Sequence, residues 1–82
     1  MTPLHYHAGP PVRLGDRVRW GDEGQGTIVV MIAEQTALPG YVAAEWDYLV
    51  HGCMISVDAV GLFHYDAEGL LHDANLVLLA RA

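Results

Sequence analysis

The seven residues Thr27-Ile28-Val29-Val30-Met31-Ile32-Ala33 constrain this chain more than any other stretch. Thr27, Ile28, Val29, Val30 and Ile32 are branched at Cβ, which stiffens the side chain, disfavours a helix and suits a pleated surface. The run does not alternate with polar residues, so it has no face to offer water. It predicts a central strand covered on both sides. Just before it, Gly21-Asp22-Glu23-Gly24-Gln25-Gly26 is dense in glycine, the residue that supplies the positive φ angles of tight turns. Before that turn, Arg17 and Arg19 alternate with Val18 and Trp20, the period-two pattern of a half-buried strand. The chain therefore opens with a β-hairpin.

Leu38-Pro39-Gly40 marks a second turn, and Val42-Ala43-Ala44-Glu45-Trp46-Asp47-Tyr48-Leu49 has the composition of a helix. Val42, Trp46 and Leu49 fall at i, i+4 and i+7, so an α-helix would lay all three on the sheet. Cys53-Met54-Ile55-Ser56-Val57 and Leu62-Phe63-His64-Tyr65, separated by Asp58-Ala59-Val60-Gly61, read as a second hairpin. After a polar bend from Asp66 to Asp73, Asn75-Leu76-Val77-Leu78-Leu79 reads as a closing strand. Five short strands joined mostly by tight turns predict a mainly all-β fold, a small barrel without exposed edges, with one short helix or helical turn between strands 2 and 3. The barrel spans residues 13–82, after an N-terminal arm of residues 1–12 that ends in Gly9-Pro10-Pro11.

Gly15-Asp16-Arg17-Val18-Arg19, the glycine turn and Gly26-Thr27-Ile28-Val29-Val30 resemble the opening hairpin of SH3-like β-barrel domains, a group that includes the barrel of the nitrile hydratase β subunit. The resemblance covers about the first third of the chain. It implies a fold and no function. Tyr41, Trp46-Asp47-Tyr48-Leu49, Gly52, Asp58 and Gly61-Leu62-Phe63-His64-Tyr65 are similar to a pattern in small bacterial proteins, some of which act as immunity partners of secreted toxins. That resemblance implies a binding role and assigns no residue to it.

Charge narrows the partners. Ten acidic residues stand against four arginines, with no lysine, for a formal charge of -6. Phosphate backbones are bound mainly through Lys and Arg, so nucleic acid is excluded as the expected partner and a basic protein surface is favoured. No apolar run approaches the ~20 residues of a membrane span, and Met1 to His7 lack the basic start and apolar stretch of a secretion signal. The expected location is the cytoplasm. Cys53 is the only cysteine, so no internal disulfide or thiolate cluster forms.

The residues that suggest chemistry do not assemble into a catalytic set. His5 and His7 lie on one side of an extended segment, but His51, His64 and His72 are not spaced to complete a metal site. His64 has Asp58 and Asp66 near it as orienting carboxylates but no nucleophile, since Ser56 sits in mid-strand and Cys53 is flanked by apolar residues. The glycine turn contains Asp22 and Glu23, no lysine, and leads into a strand, so it repels phosphate. No enzyme activity, metal or cofactor is expected.

Large aromatics interleaved with acids suit a protein interface. Tyr41, Glu45, Trp46, Asp47 and Tyr48 form such a group, with Trp46 expected to pack inward and Glu45, Asp47 and Tyr48 outward. Asp22, Glu23 and Glu34 extend the surface if the first hairpin and the central segment lie on one side. The expectation is a non-catalytic immunity-type inhibitor that binds a basic toxin or effector. One alternative is an SH3-type peptide-binding module, which requires Tyr41, Trp46 and Tyr48 to be exposed together. Another is an enzyme or an accessory domain of one, prompted by His64. Edge strands such as the closing one, Asn75-Leu76-Val77-Leu78-Leu79, could also pair with a second copy and allow a homodimer.

Overall fold

The computed structural model describes residues 4–81. Six strands form one antiparallel sheet: β1 (Arg17–Trp20), β2 (Gly24–Met31), β3 (Thr36–Ala37), β4 (Cys53–Val57), β5 (Gly61–Tyr65) and β6 (Leu76–Ala80). The order is β5-β4-β2-β1-β6, with β3 paired to β2 off this path. A 3-10 helix, Ala43–Leu49, lies between β3 and β4, and one α-helix, α1 (Ala67–His72), lies between β5 and β6. The chain is thus mainly β, with the expected helical turn after the first hairpin.

The sheet is open rather than closed into the expected five-stranded barrel; β5 and β6 end its main path, and the two-residue β3 is a further edge strand. Side chains packed against one apolar cluster instead link β1 to β5. Trp20 of β1 stacks on Phe63 of β5 with ring centroids 5.0 Å apart. The Trp20 Nε1–H donates to the Tyr65 hydroxyl at 3.1 Å, and that hydroxyl donates to Asp73 at 3.0 Å.

β2 is covered on both faces, and a bulge makes this possible. Ile28 pairs with Ile55, but the next paired position is Val30 with Met54, so Val29 is an extra residue in β2. Beyond the bulge the facing changes. Ile28 and Met31 join a large cluster with Val18, Cys53, Ile55, Val57, Leu70 and Leu76. Val29, Val30 and Ile32 join a smaller cluster with Ala43 and Met54 on the opposite face. Gly26 is required where β2 and β4 approach most closely, since a Cβ there would lie 2.9 Å from both the Ile55 Cγ2 atom and the Ser56 carbonyl oxygen.

The described part of the N-terminal segment packs into the large cluster. Residues 1–3 of the expected arm, and Ala82 at the end of the expected barrel, lie outside the described residues. From Leu4 onward the segment doubles back, with a bridge between His5 and Pro11, and buries Leu4, Tyr6 and Val12 in the large cluster. A small chain has little apolar surface to spare, and these side chains complete its core. The segment is also tied down by a buried carboxylate. Asp16 accepts hydrogen bonds from the Tyr6 hydroxyl at 2.7 Å, the Arg13 amide at 2.9 Å and the Arg81 guanidinium at 3.1 Å. Arg81 donates to the Pro11 carbonyl as well, joining the two ends of the described chain.

α1 replaces the expected polar bend. Asp66 caps it, its side chain accepting the Gly69 amide at 2.7 Å, and Leu70 projects into the large cluster. Complete burial of one leucine is worth about 2 kcal/mol, enough to hold so short a helix in place.

Candidate functional site

The 3-10 helix positions the central group of predicted residues. With three residues per turn, side chains at i, i+3 and i+6 share a face. Ala43, Trp46 and Leu49 therefore turn inward onto the small cluster. Val42, expected inward on α-helical spacing, is instead 54% exposed. Trp46 packs against the cluster with Tyr41, their rings 6.5 Å apart, and both are half-buried. Glu45 and Asp47 are exposed, and Tyr48 is 76% exposed.

Asp22 and Glu23 do not join this group. They occupy the β1–β2 turn, before the first residue of β2, whereas the 3-10 helix covers Val29, Val30 and Ile32 at the far end of that strand. Eight residues of β-strand separate the two ends by about 20 Å. The predicted contact residues are thus divided between opposite ends of the sheet.

Glu34 lies at the same end as the helix and introduces a feature that spacing did not reveal. A cleft of about 620 Å³ opens there, lined by Leu4, Ala33, Glu34, Val50, His51, Gly52, Asp66, Ala67 and Glu68. Its walls are largely apolar, and its ionisable groups are three carboxylates and an imidazole. Val50, one residue past the 3-10 helix, connects it to the exposed helix surface and is itself 70% exposed.

The arginines lie elsewhere. Between Arg19 and Arg81 there is neither lysine nor arginine, while nine of the ten acids fall in that interval: Asp22, Glu23, Glu34, Glu45, Asp47, Asp58, Asp66, Glu68 and Asp73. Arg17 forms an ion pair with Asp58, donating to Oδ1 at 3.2 Å and to Oδ2, and it also donates to Thr27. The Arg17 hydrogen bond holds the Asp58 carboxyl below the usual carboxylate range. Arg81 is paired with Asp16. None of the four arginines lines the cleft.

The junction of helix and cleft is strained. Val50 has φ 71° and ψ -49°, and the His51 amide donates to the Leu49 carbonyl at 2.8 Å. This is a γ-turn of the rare hand, centred on a β-branched residue that seldom adopts positive φ. Such strain costs about 1–3 kcal/mol, and here it coincides with an apolar side chain held out in solvent. Gly52, two residues on, also has positive φ, and a Cβ there would strike the Tyr65 carbonyl oxygen and lie 2.7 Å from the His64 imidazole.

The histidines do not converge. His5 Nδ1 donates to the Gly9 carbonyl at 2.9 Å, His7 Nδ1 to the Leu71 carbonyl at 2.6 Å and His64 Nε2 to the His51 carbonyl at 3.0 Å. Because a carbonyl only accepts, each bond fixes which ring nitrogen carries the proton. Among the described residues, no three His, Cys, Asp or Glu side chains form a group able to hold a metal ion. Cys53 is fully buried, and burial pushes its thiol up to about 12. Among the described residues no helix is long and apolar enough to cross a membrane.

No family model, curated protein or solved structure matches this chain.

Val50 and Glu68 are cleft residues that the sequence did not single out, and His51 and Asp66 were weighed there only as a metal ligand and as an orienting carboxylate. The available signal was Asp66-Ala67-Glu68, an acid in the cap position followed by another in the first turn. Reading it as a helix start would have placed both carboxylates beside the end of β5.

Proposed function

We propose that this chain is a non-catalytic protein-binding domain that recognises a basic partner with the end of the sheet carrying the 3-10 helix and the cleft. One observation carries the reading. Glu34, Asp66 and Glu68 line a cleft to which no arginine contributes, and the adjoining 3-10 helix, joined to it through Val50, exposes Glu45, Asp47 and Tyr48. An apolar centre with a charged rim is the usual composition of a protein interface. The uncompensated negative field would speed encounter with a cationic surface. In its narrower form the reading is an immunity-type inhibitor, whose acidic end would cover the basic substrate cleft of a toxin or effector. We also read the scaffold as an open SH3-like barrel, supported by the strand order β5-β4-β2-β1-β6 and by the Trp20–Phe63 contact between the non-adjacent strands β1 and β5. The aromatic-groove alternative is disfavoured, because Tyr41 and Trp46 are half-buried in the small cluster and Tyr48 alone stands fully open.

The test is co-expression with the product of the neighbouring gene, followed by titration of the purified complex over a salt series. Reversing Glu45 and Asp47 together to lysine should weaken binding by at least about tenfold and flatten its salt dependence. Reversing Asp22 and Glu23, at the other end, should leave affinity within about twofold. Equal losses from both double variants, or affinity indifferent to salt, would overturn the assignment.

A further inference from the structure

The main path of the sheet ends in β5 and β6, and these two edges are unequally protected. Edge strands present unpaired backbone N–H and C=O groups, and natural proteins blunt them with charge, proline, bulges or covering segments. β6 is guarded in two of these ways. Its pairing with β1 slips at Arg17 and Val18, a bulge that breaks the regular ladder, and Arg81 just beyond it is fastened to Pro11 and Asp16. β5 lacks charge, proline and a bulge. From Ala59 to Tyr65 there is no charged residue and no proline, and the pairing with β4 is regular throughout. Val60 and Leu62 are 58% and 38% exposed along this edge.

We propose that β5 is a self-association edge, on which a second copy of the chain adds its own β5 in antiparallel orientation. The strand is self-complementary about Phe63. In that register Leu62 of each copy faces His64 of the other and Gly61 faces Tyr65, so no charge within either strand opposes a like charge. A two-fold pairing satisfies both edges at once and leaves no new edge for further growth on that side. A five-residue ladder with two flanking apolar side chains buries well under the ~1,000 Å² of a stable interface. The dimer is therefore weak and concentration-dependent. Each copy carries -6, so long-range repulsion opposes pairing and salt should strengthen it. This is the reverse of the salt response expected at the acidic end, so success or failure at one surface is read independently of the other.

The test is sedimentation equilibrium of the purified chain alone, from low micromolar to near-millimolar concentration, at low and high salt. The expected result is a mass rising from 8.9 kDa toward twice that value, further at high salt. Leu62→Lys, which sets a charge on the exposed face of β5, should hold the mass at the monomer value, while Leu79→Lys on β6 should leave association intact. Hydrogen exchange at high concentration should slow at β5 amides and not at β6 amides, a readout that does not depend on either variant folding. A monomer at every concentration and salt, or protection that appears on β6 instead, overturns the proposal.

Discussion

The two apolar clusters on either face of the sheet are built in different ways. The large one draws on the whole described chain, from Leu4 to Leu78, and is laced with polar bonds: Asp16 with Tyr6, Arg13 and Arg81, and Trp20 through Tyr65 to Asp73. The small one is assembled from residues 29–54 alone, its members are all apolar or aromatic, and it leaves Val42, Tyr48 and Val50 open to solvent nearby. Long-range contacts and satisfied buried polar groups make a cooperative scaffold, whereas a local apolar layer can open by itself at low cost. The 3-10 helix of the proposed binding surface rests on this local layer, while the cleft beside it is lined in part by Leu4 and Ala67 of the large cluster, so the surface straddles the two.

The sharpest way to break this contrast is to remove Asp16. Its side chain is 1% exposed and accepts three partners, so Asp16→Ala leaves the Tyr6 hydroxyl, the Arg13 amide and the Arg81 guanidinium without their acceptor. The expected loss is about 2–4 kcal/mol, the range for leaving two buried donors without an acceptor, with little added from Arg81 because its guanidinium is part-exposed. In urea unfolding the whole domain should shift in one transition. Trp46→Ala, on the other face, removes a half-buried ring and should cost about 1–2 kcal/mol, with the change confined in hydrogen exchange to residues near the 3-10 helix. Equal global losses from the two variants would show that the clusters are one cooperative unit.

The fold was legible where the signal was local. The apolar run of β2, the glycine turn, the second hairpin and the closing strand all declared themselves through alternation, Cβ branching and turn residues. β3, at two residues, is too short to show a period. α1, at six residues with a single buried side chain, is nearly so, and only its Asp66 cap was readable. The helix before β4 was located correctly but given the wrong period, which reversed the facing of Val42. What the sequence did not carry was juxtaposition. The bond from Tyr6 to Asp16 spans ten positions and that from Asp16 to Arg81 sixty-five, with no spacing rule to connect them. Asp22 and Glu23 resemble Glu45 and Asp47 as residues, and only the length of β2 separates them.

Alkaline pH provides a second, intermediate test of the large cluster. Burial raises the Cys53 thiol from its ordinary 9.0 to about 12, and burial together with the Asp16 hydrogen bond raises the Tyr6 hydroxyl above its ordinary 10.0. Both groups are neutral when protonated, so folding favours the protonated form. Their contribution is fully present below the unfolded-state values and is lost as pH rises, because the unfolded chain releases the protons first. Between about pH 9 and 10, where Cys53 acts nearly alone, stability should fall by up to about 1.4 kcal/mol per pH unit. Cys53→Ala should flatten that interval and leave the steeper loss above pH 10, where Tyr6 takes part. Urea midpoints at half-unit steps would resolve the two, and an unchanged slope in Cys53→Ala would remove the thiol from the account.

The smallest effect on stability tests the other side of the contrast most closely. Val50 is held at φ 71° and ψ -49° in the γ-turn that joins the 3-10 helix to the cleft, and its side chain is 70% exposed, so little packing is lost if it is removed. Val50→Gly relieves the strain, since glycine accepts positive φ without penalty, at the cost of a more flexible unfolded chain. The two terms leave a net gain of about 1 kcal/mol, read as a higher urea midpoint with unchanged slope. If the turn is retained because it presents Val50 between Tyr48 and the acidic cleft, the same substitution should weaken capture of the basic partner while the domain becomes more stable. A purely structural turn would yield the stability gain with unaltered binding. Loss of stability in Val50→Gly would mean that the exposed valine is held by contacts stronger than its strain, and the pliable face would then be as firmly built as the core beneath it.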